Sequence, residues 1–545
     1  MTTPAAPPGR FAPEHFSDDE RRILAPFFTN TDSHVFALTN LPETVKGALF
    51  ARYSRSAKSL RRLFLDEFAG TMADTHAATP AVGVERAEKL YARVFSDYGD
   101  DSVAQLGGAH VACEYVSNVL TKALEWGRLM AYLEQSTRYV PYTDKLHGRW
   151  RYHVPAEVQG ELRERYSAAM DTTFAAYASL IDPVQRYFAE RYPRAPQDSE
   201  GVHRAAIRAK ALDTLRGMLP AATQSNVGLY GTGQAYEALL LRLRAHPLEE
   251  VRACGNQMLA ELRKLIPAFL TRIDQPDRGG RWSDYLRETR DATRHAAVER
   301  LADLAPEPRG EVTLTDFDPD GEAKVVAAAL YAASDLPDDQ LLAAARRMTP
   351  DERGAILRAY IGQRGNRRHR PGRAFERTSY RFDVLTDYGA FRDLQRHRLL
   401  TLEWQPLSTR HGYSEPDAIR EAGVLDEWTR AMDASADLYE AVRGAGLDAA
   451  APYAVAMAYR VRFYMDMNAR EAMHVIELRT APQGHPAYRR VCQQMHRLIA
   501  EHAGHRAIAA AMIYVDHSEV ELERLKAERE LERKRARPAP DPQAI

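Results

Sequence analysis

A short basic pattern occurs twice in this chain and constrains its fold more than any other feature. In the second half, Arg396-His397-Arg398 precedes Ser408-Thr409-Arg410. In the first half, Trp126-Gly127-Arg128 is followed, after seven residues, by Ser136-Thr137-Arg138. The two copies lie about 270 residues apart, and self-similarity at that distance indicates a tandem duplication of one domain.

The residue types in this pattern suit an anion. Guanidinium groups present several donors in one plane and can hold a carboxylate or a phosphate in bidentate fashion. A basic cluster can also be the solvated face of a helix, since 27% of the residues are charged. The second copy of the pattern favours a binding site over a solvated face.

Composition excludes several classes of function. Lys and Arg number 74 and Asp and Glu number 75, so the formal net charge is −1 and no overall field favours nucleic acid or an anionic membrane. Cys113, Cys254 and Cys492 are isolated, which argues against a disulfide framework and a zinc site. We expect no bound metal. No apolar run approaches the roughly 18 residues of a membrane span, so we expect a cytoplasmic protein.

The local patterns predict mostly helices. Residues 1–20 are expected to be disordered, with Ser17 and Glu20 forming a capping box at the first helix. The apolar stretch Val103–Leu133 predicts a buried helix, and the glycines between 228 and 233 predict a turn. We predict a first domain at 21–275, a linker at 276–308, a second domain at 309–515 and a charged helix and tail at 516–545.

The second half combines strands and helices. Alternation over Glu311–Phe317 predicts a strand, and Phe375–Phe391 predicts a strand followed by a helix. Three further helices are predicted at 321–334, 337–347 and 350–362. Downstream, a helix would place Arg470 and His474 on one face, with Arg479 returning to nearly the same side. That helix is either a binding face or an ordinary solvated surface.

Taken together, these stretches resemble the flavin-dependent thymidylate synthases (ThyX). That family combines Arg-His-Arg, seven residues and Ser-x-Arg with a downstream Asn-x-Arg helix and an Arg shortly before Leu-Pro. The resemblance covers roughly 35–260 and 310–505, so the chain is similar to two such domains fused in tandem. It implies a helix-rich α+β fold in which each domain packs helices on a small sheet.

The resemblance also implies roles for individual residues. The serine is expected to orient the substrate rather than to attack it. The catalytic residues would be Ser136, Arg138 and Arg479. Flavin would be held by Arg396, His397, Arg398, Asn468, Arg470, His474 and Arg128, and the nucleotide by Glu134, Ser136, Arg138, Arg216, Ser408, Arg410 and Arg479.

Each half departs from the family pattern. Trp126-Gly127 replaces Arg-His in the first half, and either Arg242 or Arg244 would be the counterpart of Arg479. In the second half, nine residues rather than seven separate Arg398 from Ser408. Family sites form between subunits, so we expect composite sites. One would join Glu134, Ser136, Arg138 and Arg216 to Asn468, Arg470, His474 and Arg479, and another would use Arg396, His397 and Arg398.

The activity implied by the resemblance is reductive methylation of dUMP to dTMP. FAD would be the cofactor, and methylenetetrahydrofolate and NADPH the co-substrates. A homodimer would imitate the family's tetramer. The alternatives are flavin-dependent methylation of another pyrimidine nucleotide and a non-catalytic scaffold that binds nucleotide or flavin, which the loss of Arg-His at Trp126-Gly127 favours.

Overall fold

The computed structural model describes residues 13–41, 53, 56–67, 69 and 108–535. They form two compact units that are not contiguous in sequence. Unit 1 contains the described residues up to Ala178 together with Leu219–Pro306 and Arg430–Ala456. Unit 2 contains Ser179–Met218, Glu307–Thr429 and the described residues from Met457 onward. Each unit therefore takes segments from both sequence halves.

Each unit contains one four-stranded antiparallel sheet, and the two sheets have the same strand order. The order is β1-β2-β4-β3 in unit 1 and β5-β6-β8-β7 in unit 2. This repetition agrees with a duplicated domain and with the predicted helix-rich α+β fold, which is confirmed. The strands are β1 Val35–Leu38, β2 Gly108–Ser117, β3 Met130–Glu134, β4 Gln224–Thr232, β5 Val312–Phe317, β6 Ser379–Asp387, β7 Thr401–Trp404 and β8 Arg460–Asn468.

The central pair of strands in unit 2 shows why these residues form a sheet. Side chains at alternate positions of β8, such as Val461, Phe463 and Met465, are buried, while those between them are half-buried. This period of two matches a pleated strand with one face on the core. β6 pairs with β8 along its whole length, from Ser379 opposite Asn468 to Asp387 opposite Arg460. The register places the carboxyl end of β6 beside the start of β8.

Helices cover both sheets. The predicted capping box is confirmed. The Ser17 hydroxyl accepts a hydrogen bond from the amide of Glu20, and the Glu20 carboxylate accepts one from the amide of Ser17. The helices are α1 Asp18–Leu24, α2 Leu60–Glu67, α3 Asn118–Leu124, α4 Gly160–Arg191, α5 Glu200–Leu215, α6 Gly233–Arg244, α7 Glu249–Leu262, α8 Arg281–Arg300, α9 Gly321–Tyr331, α10 Asp338–Arg347, α11 Pro350–Ile361, α12 Tyr388–Leu394, α13 Asp417–Glu421, α14 Leu425–Gly444, α15 Ala469–Arg479, α16 Pro486–Glu501, α17 Arg506–Ala510 and α18 Leu525–Arg535.

Two expectations for the first half are wrong. The described part of Val103–Leu133 is β2, the short helix α3 and the start of β3, not one helix. Its apolar residues are buried because β2 is central in its sheet, and a continuous apolar run alone does not separate a buried strand from a buried helix. The predicted glycine-rich turn is the end of β4, where Gly228 pairs with Ala112 and with Leu133.

The second half follows its predicted elements more closely. The strand β5, the helices α9, α10 and α11, and the β6–α12 unit lie where the sequence placed them. The range predicted as a linker contains α8, whose residues are almost all exposed. In the predicted charged tail, α18 contacts α5, and Arg529 forms an ion pair with Asp198. Within the described part of the chain, no helix is long and apolar enough to cross a membrane.

Candidate functional site

The Arg396-His397-Arg398 segment lies in the turn that leaves α12. Asp387 ends β6 and caps α12, accepting a 2.8 Å hydrogen bond from the amide of Ala390. The helix lasts only seven residues, to Leu394, so the three basic residues follow immediately and precede β7. The short strand-helix-strand unit therefore fixes where the basic segment begins.

Three arginines surround Asp393, the next-to-last residue of α12. Arg216 Nη1 lies 3.5 Å from Asp393 Oδ2, and Arg479 Nη1 lies 3.9 Å from Oδ1. Arg396 forms a short ion pair with Oδ1. We call these four residues the arginine-aspartate cluster. One carboxylate faces three guanidinium groups, so the cluster has a formal charge of +2.

His397 lies beside this cluster and is uncharged. Its side chain is only 5% exposed, and Arg479 Nε donates to His397 Nε2 over 2.9 Å. Burial, with Arg479 and His474 nearby, lowers the pKa of His397 well below its usual range. Because Nε2 accepts a hydrogen bond, the neutral ring carries its proton on Nδ1. His397 therefore orients the Arg479 guanidinium.

The helix α15 supplies the remaining predicted residues. Asn468 caps it by accepting from the Glu471 amide, and Arg470 Nε donates to the Pro371 carbonyl. Arg370 Nη2 lies 2.9 Å from His474 Nδ1. Burial, helped by Arg370, lowers the pKa of His474 to about 4. Asn468, Arg470 and His474 thus lie in the first two turns of α15.

Glu471 is a buried carboxyl within this basic surrounding. Burial raises its pKa to about 7, although Arg370, Arg470 and Arg398 act in the opposite direction. His397, Glu471 and His474 together offer three possible metal ligands, whose atoms lie within 4.8 Å of one another. The arginines around them raise the electrostatic cost of a cation, so the group suits an anion better than a metal ion.

The sequence assigned Arg216 and Arg396 to different composite sites. In the structure both side chains contact Asp393 within unit 2. Arg216 belongs to the first half of the sequence, but the segment Ser179–Met218 is part of the unit that carries the second sheet. No motif in the sequence shows this exchange of segments.

The other predicted residues are placed as follows. Ser408 is buried and Arg410 is exposed in the loop after β7. Glu134 ends β3, with Lys122 Nζ 3.4 Å from its carboxylate. Ser136 Oγ accepts a 3.2 Å hydrogen bond from the Arg138 amide. Glu134, Ser136, Arg138 and Arg128 belong to unit 1, so their combination with the residues of unit 2 remains a prediction.

Unit 1 resolves which arginine takes the place of Arg479. The guanidinium of Arg242 lies 5.0 Å from the ring centroid of Trp126. A Cβ atom at Gly127 would lie 3.2 Å from Arg242 Nη2, much as His397 contacts Arg479 in unit 2. Arg244 instead bonds to the Ile273 carbonyl and to Asp274. Arg242 is therefore the structural counterpart of Arg479.

A closed polar network lies beside the cap of α3 in unit 1. Glu250 accepts hydrogen bonds from the Ser117 amide at 2.9 Å and from the Ser117 hydroxyl at 2.7 Å. Tyr453 donates to the same carboxylate over 2.6 Å, and His153 Nδ1 lies 3.6 Å away. The cavity at this position measures only 30 Å³. The donors of Ser117 at this helix cap are therefore hydrogen-bonded to a carboxylate of the protein itself.

Sequence reasoning missed several residues of the site. Asp393 and Glu471 lie within helical runs and belong to none of the motifs. Arg370 lies in a loop that carried no motif. The only sequence signal for Asp393 and Glu471 is position, since one lies three residues before the first motif arginine and the other three after Asn468. Both lie one helical turn from a recognised residue.

Comparisons with known proteins bear on the whole chain. The family model "Thymidylate synthase complementing protein" matches residues 47–268 and 313–503. A "UPF0159 protein" of Chlamydia muridarum (strain MoPn / Nigg) is 38% identical over 520 residues, which is 94% of this chain and 98% of that protein. A "Flavin-dependent thymidylate synthase" of Mycobacterium sp. (strain KMS) is 30% identical over 182 residues, which is 33% of this chain and 67% of that protein.

Among solved structures, a UMP/dUMP methylase, PolB, from Streptomyces cacaoi bound with 5-Br dUMP is 23% identical to this chain, with a TM-score of 0.28. The match covers 38% of this chain and 97% of that chain.

The family model matches twice, once in each sequence half. The two matches agree with the repeated sheet order, and together they span well over half of the chain. The chain therefore belongs to the thymidylate synthase complementing protein family.

Proposed function

We propose that this protein is a flavin-dependent enzyme that methylates dUMP to dTMP, with FAD as cofactor and methylenetetrahydrofolate and NADPH as co-substrates. Its family membership supports the reaction class. The observation that carries the proposal is the arginine-aspartate cluster, where Arg216, Arg396 and Arg479 converge on one carboxylate. Such a cluster is a binding surface for an anionic substrate.

The charge of the cluster matches a nucleotide monophosphate. A phosphate monoester carries nearly two negative charges at neutral pH, and the cluster carries a formal charge of +2. The side chain of Arg479 is 15% exposed and that of Arg216 is 5% exposed. Interactions at such partly desolvated positions are stronger than between exposed charges. The cluster would therefore bind the phosphate and fix the position of the pyrimidine.

The residues around Glu471 fit a flavin dinucleotide. Burial is the larger influence on the Glu471 carboxyl, but Arg370, Arg470 and Arg398 each favour a negative charge near it, and guanidinium groups suit a diphosphate. When bound, the flavin would supply the redox chemistry of methyl transfer. The chain itself would contribute binding and orientation, with neutral His397 holding Arg479 in place.

The first test is an absorbance spectrum of the purified protein in the flavin bands, before and after loading with FAD and desalting. Retained flavin, followed by dUMP-dependent oxidation of the reduced protein, would support the enzyme. A panel with UMP and dCMP would separate dUMP from other pyrimidine substrates. A protein that cannot be loaded would instead support the non-catalytic scaffold.

The second test concerns Arg138, which the family resemblance places at the nucleotide. Arg138→Ala is expected to weaken dUMP binding by about tenfold or more, as the loss of a charged hydrogen bond does. Arg204→Ala, at an exposed position of α5 where the guanidinium pairs with Glu200 at 3.3 Å, is the matched control. Unchanged dUMP affinity in Arg138→Ala would show that this assignment is wrong.

A further inference from the structure

Two of the three cysteines meet in unit 1, although 141 residues separate them in the sequence. Cys113 lies in β2, and Cys254 lies in α7, which packs against β1 and β2. Their Sγ atoms are 4.0 Å apart, and both residues are free thiols. In a disulfide the two sulfur atoms lie about 2.05 Å apart. A side-chain rotation and a small shift of α7 would therefore bring these two sulfur atoms to bonding distance.

The two thiols differ in access. Cys254 is 5% exposed and lines the cavity of 30 Å³ beside the Glu250 network, whereas Cys113 is 0% exposed and lies outside the lining. His34 and Gln257 line the same cavity and are half-buried, so they mark its solvent side. A small reagent that enters there meets Cys254 first, with Cys113 in contact behind it.

The size of the cavity restricts the reagent. It admits a molecule of about the size of one or two waters. Hydrogen peroxide, with only two oxygen atoms, satisfies this limit. A bulky oxidant such as oxidised glutathione exceeds it, so that oxidant would reach the thiols only if unit 1 opened.

The surroundings also assign different roles to the two sulfur atoms. The contact with Cys254 and burial raise the pKa of the Cys113 thiol well above its usual range. Because the thiolate is the reactive form of cysteine, Cys113 is a poor first nucleophile. A thiol beside an oxidised neighbour can instead resolve a sulfenic acid to a disulfide. Cys113 suits this second role, since its proton can pass to the leaving hydroxyl.

We propose that Cys254 and Cys113 form an oxidation-sensitive pair, which hydrogen peroxide converts to a disulfide between α7 and β2. The Cys254 sulfur attacks one peroxide oxygen and the O–O bond breaks. The other oxygen leaves as water with the thiol proton, and a sulfenic acid remains. The Cys113 sulfur then attacks the sulfenic sulfur, the S–O bond breaks, and a second water leaves with the Cys113 proton. Two electrons pass from the two thiols to the peroxide.

The disulfide would cross-link the two elements that carry the Glu250 network. Glu250 lies in α7, and its partner Ser117 ends β2. A cross-link over a long stretch of chain restricts the unfolded state and stabilises the folded one. Oxidation should therefore raise the Tm by about 5 °C or more, and dithiothreitol should reverse the rise.

The test is peptide mapping of the full-length protein under non-reducing conditions, after treatment with hydrogen peroxide and alkylation of the remaining thiols. We expect a disulfide between Cys113 and Cys254, while Cys492 is recovered as an alkylated thiol. Cys492 is the internal control, because it is also 0% exposed but lies in unit 2. In Cys113→Ala, a sulfenic acid should accumulate at Cys254 and react with dimedone. Over-oxidation of Cys254 without the cross-link in the parent, or equal loss of Cys492, would overturn the proposal.

A matched pair of variants on α7 tests the route of entry. Gln257→Trp fills the solvent side of the cavity and should slow the cross-link by about tenfold, because oxidation follows access. Asn256→Trp, at an exposed position outside the lining, should leave the rate unchanged. Circular dichroism checks that both variants fold, and equal rates in the two would overturn the proposal.

A second peroxide provides a test that needs no variant. tert-Butyl hydroperoxide has the same O–O bond on a larger body, so its rate relative to hydrogen peroxide should be lower with the folded protein than with the protein unfolded in urea. An equal ratio in the two states would mean that the thiols react only after unfolding, and the proposal would be wrong. These measurements need neither flavin nor nucleotide, so their outcome is independent of the proposed methylation.

Discussion

The two repeats place different chemistry on the same framework. In unit 2, the turn after α12 carries Arg396 and His397, and Arg479 bonds to that imidazole. In unit 1, the turn after α3 carries Trp126 and Gly127, and Arg242 packs on the indole. The strand order is the same in both units. A duplicated domain can therefore keep its fold while one copy replaces the first two residues of the Arg-His-Arg segment.

A second difference lies at the caps of the two short helices. In unit 1, Ser117 caps α3 and Glu250 accepts its hydrogen bonds. In unit 2, Asp387 caps α12 beside Arg216 and an open cavity. In unit 1, the donors at the helix cap are hydrogen-bonded to the Glu250 carboxylate. In unit 2, the positive charge of Arg216 is only partly neutralised by Asp393. We infer that the region around the cap of α3 stabilises unit 1 and that the corresponding region around α12 in unit 2 is available to a ligand.

The largest expected effect compares the two equivalent arginines. Arg479→Ala should lower kcat for dUMP-dependent flavin oxidation by about 100-fold to 1000-fold, the usual range for losing a fixed electrostatic group. Arg242→Ala should lower kcat by less than about threefold, because Arg242 packs on Trp126 in unit 1. Stopped-flow absorbance at the flavin band measures both. Equal losses in the two variants would contradict the division of roles.

Removal of Glu250 should mainly destabilise the protein. Glu250→Ala leaves the Ser117 and Tyr453 donors without their acceptor. We expect the free energy of unfolding to fall by about 3 kcal/mol. Glu250→Gln keeps one acceptor oxygen and should cost less. Urea unfolding followed by circular dichroism measures the change, and a Glu250→Ala protein as stable as the parent would show that this network is not structural.

The buried carboxyl of Glu471 gives unit 2 a pH dependence that the same position of unit 1 lacks. Asn468 caps α15 through the Glu471 amide, and Thr232 caps α6 through the amide of Ala235, which carries no charge. The folded carboxyl loses its proton near pH 7 and the unfolded one near 4.5. The folded state therefore binds one more proton in this window, so stability falls as pH rises through it.

The expected loss between pH 4.5 and pH 7 is about 3 kcal/mol. Glu471→Gln cannot ionise and should remove this fall. Chemical denaturation at several pH values, with parent and variant compared at each, isolates the contribution. Parallel pH profiles for the two proteins would mean that the carboxyl is already ionised in the folded state at the low end of this window.

The smallest expected effect tests the tight turn in unit 1. A Cβ atom at Gly127 would lie 2.7 Å from the Tyr132 hydroxyl, which donates to the Gly127 carbonyl. Gly127→Ala should therefore cost about 1 kcal/mol as the tyrosine shifts. In Gly201→Ala on α5, the nearest atom lies 3.9 Å away, so that change should be neutral or slightly stabilising. Thermal unfolding compares the two variants.

Much of the architecture was accessible from sequence. The repeated motif indicated the duplication, and alternation in β5 and helical spacing around Arg470 indicated the correct elements. The helix predicted at Val103–Leu133 failed because a central strand and a buried helix are both continuously apolar. Glycines between 228 and 233 predict a turn, but they lie in β4 and at the start of α6, and a Cβ atom at Gly231 would lie 2.7 Å from the Met130 side chain of the neighbouring strand.

The site itself was only partly accessible. The family resemblance supplied Arg396, His397 and Arg479, which the structure places together in unit 2. It did not supply Asp393 or Glu471, since their importance arises from contacts across long sequence separations. Nor did it predict the grouping of Arg216 with Arg396, because sequence halves and compact units do not coincide.

The interleaving of the units has an evolutionary consequence. The chain passes from one unit to the other at residues 178/179, 218/219, 306/307, 429/430 and 456/457. A gene split at the repeat boundary, near Pro306, would separate Ser179–Met218 from the sheet of unit 2 and Arg430–Ala456 from that of unit 1. Neither half could complete its own unit alone. Separated halves would therefore have to associate with each other to restore either unit.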